Sequence, residues 1–122
     1  MESCSCCGPI TMVLACSGGS NVGQISNEVA RKLTVDSKAL MFCLAGLGGN
    51  VEPLVERTSQ ADRVLVIDGC PVACAKKTLE RHGIEHEWLE LTALGIEKCP
   101  NLELNASDVE CAMNAADELL GA

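Results

Sequence analysis

Three short apolar runs, each closed by a turn and followed by helical periodicity, set the tightest bound on what this chain can fold into. Thr11 to Ala15 reads as a strand, followed by the loop Cys16-Ser-Gly-Gly-Ser-Asn21 and a helix whose Val22, Ile25, Val29 and Leu33 share one face. Lys38 to Leu44 reads as a second strand, ending in Ala45-Gly-Leu-Gly-Gly49 and a short helix begun by Asn50. Arg63 to Ile67 is a third, turning at Asp68-Gly69 into a helix that opens on Cys70-Pro71 and closes near Gly83. Pro71 suits a first helical position, where its missing N–H would be unpaired anyway. Glu87 to Leu91 supplies a fourth strand, and Ser107 with Glu110 three residues on forms a capping box for a last helix striped by Val109, Met113, Ala116 and Leu120. Strands apolar throughout and separated by helices imply a parallel sheet covered on both faces. The expectation is an α/β fold, a doubly wound three-layer sandwich around a mainly parallel sheet of about four strands.

At 122 residues the chain has the length of one domain. Residues 1–10, carrying Cys4-Ser-Cys6-Cys7-Gly8-Pro9, are too short and turn-rich for a core element and read as a cysteine-rich N-terminal arm; residues 11–122 read as a single α/β domain. Phe42 and Trp88 are the only aromatics, so the core must be aliphatic. The net charge of −8, with no basic cluster larger than Lys76-Lys77, repels phosphate backbones and anionic lipid surfaces, which argues against nucleic-acid and membrane partners. No run approaches the roughly 20 apolar residues of a membrane span, and the N-terminus lacks the pattern of a secretory signal. A cytoplasmic address is expected.

The cysteines organise the functional reading. There are nine, an odd number, and without an export signal they argue for metal binding or thiol chemistry rather than a disulfide scaffold. Cys16 follows the first strand, Cys43 ends the second and Cys70 lies just beyond the third, with separations of 27 and 27 residues. In a parallel sheet the C-terminal strand ends are neighbours about 4.8 Å apart, and open α/β sheets build their sites there. Cys74, four residues after Cys70 on the expected helix, points the same way. Four convergent thiols are what a tetrahedral zinc site needs. The Gly-rich loop and helix N-termini favour thiolates, Lys76 and Lys77 can offset their charge, and Asp68 either supports a ligand or holds the turn. Cys99 is a candidate fifth ligand, and Cys111 is expected to pack in the apolar face of the last helix. Cys4, Cys6 and Cys7 fold back as ligands, bind a second ion or remain spare thiols. His82 and His86 are separated by the helix breaker Gly83 and are expected to face solvent.

The segment Asp68-Gly69-Cys70-Pro71-Val72-Ala73-Cys74, with the Cys16-Ser17-Gly18 turn and Cys43-Leu44-Ala45, resembles the DGC-domain family, named for its Asp-Gly-Cys triplet. The resemblance runs from about residue 11 over nearly the whole chain. It implies zinc held through four cysteines, matching Cys16, Cys43, Cys70 and Cys74, while the Cys4, Cys6 and Cys7 cluster is additional to the family pattern.

Zinc binding for structure, storage, delivery or sensing is therefore the leading function, with a metal ion as partner and no protein partner identified. The rival is a thiol redox or iron–sulfur electron-transfer protein using the same cysteines, although three residues rather than two separate Cys70 from Cys74. Cys16 as an enzymatic nucleophile resembles the loop of low-molecular-weight phosphatases, but positions 17 to 24 hold no arginine to neutralise a bound anion. Ser17-Gly-Gly-Ser20 lacks the lysine of a phosphate-binding P-loop, and Lys77 stands where a radical-initiating cluster would need its third cysteine. A non-enzymatic role is favoured.

Overall fold

The computed structural model describes residues 9–121. In chain order the elements are β1 (Thr11–Ala15), α1 (Asn21–Val35), β2 (Leu40–Met41), α2 (Leu44–Gly48), α3 (Glu52–Ser59), β3 (Arg63–Asp68), α4 (Cys74–Arg81), β4 (Glu87–Glu90), a single 3-10 turn (Leu91–Leu94) and α5 (Ala106–Gly121). The four strands lie in the order β2-β1-β3-β4, and every neighbouring pair is parallel.

Side-chain alternation along the two central strands builds two cores. Val13 and Ala15 of β1, with Leu65 and Ile67 of β3, pack against Val22, Ile25, Val29 and Leu33 of α1 and Val109, Ala112 and Ala116 of α5. Met12, Leu14, Val64 and Val66 turn the other way, onto Leu47 of α2, Leu54 and Val55 of α3 and Ala75 and Leu79 of α4. The result is the three-layer α/β sandwich that the alternating pattern predicts. Val22, Ile25, Val29 and Leu33 are fully buried, each contributing about 1.5–3 kcal/mol. The Ser20 hydroxyl caps α1 by accepting from the Gly23 N–H at 3.2 Å.

Several boundaries differ from expectation, each for a local reason. β2 shrinks to two residues because the Lys38 and Ala39 N–H groups are taken by the Leu33 carbonyl at the end of α1, and Cys43 already occupies the N-cap position of α2. Two helices replace the one expected after β2, with Asn50 between them at φ 59. The last helix is capped by Asn105, whose Oδ1 accepts from the N–H groups of Ser107 and Asp108 at 3.0 and 3.1 Å, and not by Ser107. Cys111 is solvent-exposed, because Val109, Ala112 and Ala116 supply the buried stripe.

The chain steps outward from β1 to β2 on one side and from β3 to β4 on the other. The connections therefore diverge at the C-terminal ends of β1 and β3, the crevice where open α/β sheets place their sites. No helix among the described residues is long and apolar enough to cross a membrane.

Candidate functional site

The exit from β3 is built by three consecutive residues with three separate tasks. Asp68 is only 1% exposed. Its carboxylate accepts from the Ala75 and Lys76 N–H groups and from Trp88 Nε1, each at 2.9 Å. The α4 N-cap residue is Ala73, at φ 62 and with no side chain able to cap, so Asp68 satisfies two otherwise orphaned helix donors from seven and eight residues upstream. Gly69 passes against the first turn of α1: a Cβ there would stand 2.7 Å from the Val22 carbonyl carbon and 2.8 Å from its oxygen. Only a residue without a side chain fits so close to another backbone.

Cys70 begins a tight turn, not a helix. The Ala73 N–H donates to the Cys70 carbonyl at 3.2 Å, with Pro71 at the second turn position that its fixed φ suits. Helix α4 accordingly starts at Cys74, three residues later than Pro71 suggests, and Cys70 and Cys74 do not share a helix face. The Cys70 side chain packs beside the α1/α5 core, and its Sγ lies 3.5 Å from Lys98 Nζ. Cys74, the first residue of α4, is exposed.

Cys16 extends the ladder by one bond, its N–H donating to the Ile67 carbonyl at 2.9 Å. Its side chain packs on the opposite face of the sheet from Cys70, beside the α2–α4 core. Burial pushes the Cys16 thiol above its ordinary pKa, and the negative charge of Asp68 and Cys74 adds to the rise; hydrogen bonds from the Gly18 and Gly69 N–H groups pull it partly back. The thiolate-favouring loop expected from sequence is present as those two donors, but desolvation outweighs it. Gly23 lets the loop close on α1, since a Cβ there would stand 2.7 Å from the Gly18 nitrogen.

Cys43 sits exposed at the start of α2. Cys99 is drawn to the same rim by Asn21, which accepts the Cys99 N–H at Oδ1 (2.7 Å), donates its own N–H to the Cys99 carbonyl (3.0 Å) and donates from Nδ2 to the Glu97 carbonyl (2.8 Å). Thiols therefore leave the C-terminal rim of the sheet on the connections after all four strands. Their side chains divide into two groups: Cys16, within electrostatic reach of Cys74, on the α4 side, and Cys70 with Lys98 on the α1 side. Among the described residues, no three His, Cys, Asp or Glu side chains stand together as a metal-holding group. The thiol donor set suits zinc in kind, on connections that meet at one rim, while the packing keeps Cys16 and Cys70 apart.

Lys98, Asn21 and Trp88 are parts of this rim that the sequence reading did not single out. Their roles depend on contacts 20 to 78 residues away along the chain, for which spacing carries no signal. Lys76, expected to neutralise thiolates, instead pairs with Glu80 at 3.1 Å and lies over the Trp88 ring at 5.2 Å. The two histidines expected in solvent are half-buried, with ring nitrogens 2.7 Å (His82) and 2.9 Å (His86) from the Leu47 and Ile84 carbonyls. Cys4, Cys6 and Cys7 lie outside the described residues.

No solved structure matches this chain. It is 38% identical over 113 residues to the anaerobic and virulence modulator AnvM of Pseudomonas aeruginosa, a span that covers 92% of this chain and 86% of that relative. The family model of the DGC domain matches residues 12–116, a stretch that runs from β1 into α5 and includes the Asp68-Gly69-Cys70 turn. With its whole sheet and the crevice at β1 and β3 inside that match, the chain belongs to the DGC domain family.

Proposed function

We propose that this chain is a zinc-binding module in which Cys16, Cys43, Cys70 and Cys74 hold the ion at the C-terminal rim of the sheet. The observation that carries the reading is that every connection leaving that rim brings a thiol to it, at the crevice where the chain's topology reverses. Cys16, Cys43 and Cys70 lie on connections and Cys74 on the first residue of a helix, so side chains can be gathered without breaking the sheet. Bound zinc supplies a crosslink between elements; ligand deprotonation and folding energy are coupled to it. Lys98 and the N–H groups of Gly18 and Gly69 compensate part of the negative charge of thiolates. A binding role also accords with a relative named as a modulator, and free thiols suit a reducing, cytoplasmic compartment.

Protein purified without added metal is expected to carry zinc, and a strong chelator is expected to lower its melting temperature. Absence of zinc together with a melt indifferent to the chelator contradicts the reading.

A second reading is favoured by the placement of Cys16 and Cys74 on the same side of the sheet, Cys16 against the core that includes Ala75 and Cys74 at the first residue of α4: a dithiol that cycles with its disulfide. Peptide mapping after mild oxidation distinguishes it, through a Cys16–Cys74 crosslink that forms only in metal-free protein. A brown anaerobic sample would instead mark an iron–sulfur cluster on the same thiols.

A further inference from the structure

Lys98 is delivered to Cys70 by a clamp at the start of α1. Asn21, buried as the first residue of that helix, accepts the Cys99 N–H at 2.7 Å, donates its backbone N–H to the Cys99 carbonyl at 3.0 Å and donates from Nδ2 to the Glu97 carbonyl at 2.8 Å. These bonds fix the backbone on both sides of Lys98, whose side chain reaches back until Nζ stands 3.5 Å from Cys70 Sγ. Cys70 is anchored too: its carbonyl accepts the Ala73 N–H across the turn, and its side chain is half-buried against the core of α1 and α5. Among the described residues, no carboxylate forms an ion pair with Lys98. A nitrogen and a sulfur 3.5 Å apart on two held backbones are at the outer edge of the separation from which bonds form, about 3–3.5 Å.

We propose that Cys70 and Lys98 form a modification site, which hydrogen peroxide closes into a covalent sulfur–nitrogen crosslink. The Cys70 thiolate, the form that reacts, takes one peroxide oxygen and becomes a sulfenic acid, while the O–O bond breaks and the other oxygen leaves as hydroxide. The Lys98 ammonium beside it gives that hydroxide a proton, which stabilises the leaving charge and makes water. Lys98 is thereby left as a free amine next to the new sulfenic acid. Its nitrogen attacks the sulfur; the S–N bond forms as the S–O bond breaks, and the sulfenic oxygen departs as a second water with a proton from the nitrogen. Thiolate and ammonium are oxidised together by two electrons, and one peroxide is reduced to two waters.

The crosslink ties residues 97–99 to the exit of β3 and removes the Cys70 sulfur from the donors open to a metal. That consequence rests on the zinc reading above; the bond itself does not. Two equivalents of a reducing thiol cleave the S–N bond and return the free thiol and amine, with the reductant leaving as its own disulfide. The pair therefore makes one rim thiol reversibly sensitive to peroxide without drawing on a second cysteine.

The test is tryptic mass mapping of metal-free, full-length protein treated with hydrogen peroxide, its remaining thiols then blocked by alkylation. The S–N bond shields Lys98 from trypsin, so the expected product joins peptide 64–76 to peptide 82–122, uncut at Lys98 and lighter than the two together by the mass of H2. A disulfide from Cys70 to Cys99 would instead join 64–76 to 99–122. The crosslink is expected to survive Cys99→Ser, to disappear in Cys70→Ser and in Lys98→Arg, and to be reversed by dithiothreitol. Lys98→Arg keeps the positive charge but not the nucleophilic amine, and its exposed position lets the fold stand. Absence of the crosslink in the parent protein, its loss in Cys99→Ser or its persistence in Lys98→Arg overturns the proposal. Zinc at ten times its dissociation constant is expected to slow crosslinking by about tenfold, by mass action. A crosslink that forms at the same rate with and without zinc would sustain this site while counting against the function proposed above.

Discussion

Asp68 is the residue on which the rim depends most. It accepts from α4 and from β4 at once, and its position in a strand-end triplet gives no hint that its partners lie seven, eight and twenty residues onward. Asp68→Ala leaves the buried Ala75 N–H, the half-buried Lys76 N–H and the indole without partners. The expected loss is about 3 kcal/mol, or roughly 10 °C in melting temperature, read by calorimetry; a shift under a few degrees contradicts the capping role. Gly69→Ala forces a methyl onto the Val22 backbone and is expected to destabilise by about 1–3 kcal/mol, the range of overpacked sites. Cys16 provides a pH test of its surroundings. Its folded pKa is raised, so the unfolded thiol ionises first: the stabilisation is complete below about pH 8.5 and is lost as pH rises through the higher folded value. In metal-free protein its alkylation rate is expected to reach half-maximum at higher pH than that of a free cysteine, as followed by mass spectrometry. A midpoint at or below the free-thiol value contradicts the burial effect.

At the level of elements, strands and long helices were legible because their cores are made of periodic apolar residues, while helix starts were not. Pro71 looks like a first helical residue, yet the cap that decides where α4 begins comes from Asp68 across a turn, and the helix opens at Cys74. The capping pair Ser107 and Glu110 was outcompeted by Asn105, whose single side-chain oxygen accepts from two successive N–H groups. α5 ends without a basic residue of its own, and Arg63 of β3 takes its last carbonyls, at 2.6 Å to Leu119 and 2.9 Å to Leu120. Arg63 is in turn oriented by Glu87, whose carboxyl is held below the usual carboxylate range by the guanidinium hydrogen bonds. With a depressed folded pKa, this support is present above about pH 4.3 and lost as pH falls through the folded value. Amide exchange in the last turn of α5 is therefore expected to accelerate on acidification below pH 4 before that of α1 does. Uniform behaviour of both helices would show that Arg63 does not fasten α5.

For the whole molecule, the parallel sheet followed from strands apolar on both faces, and the gathering of thiols at one rim followed from the sheet. What spacing could not supply was the side-chain grouping. Cys16 and Cys70 leave adjacent strands yet pack on opposite faces, because Asp68 and Gly69 set the course of the β3 exit through contacts remote in sequence. The central claim is that zinc joins those faces. It is tested most directly on protein lacking residues 1–8, by metal-to-protein ratio and the zinc X-ray absorption edge measured on one anaerobic sample. The account predicts one zinc surrounded by four sulfurs at about 2.3 Å. A metal-free protein, or zinc bound by nitrogen and oxygen alone, would contradict it.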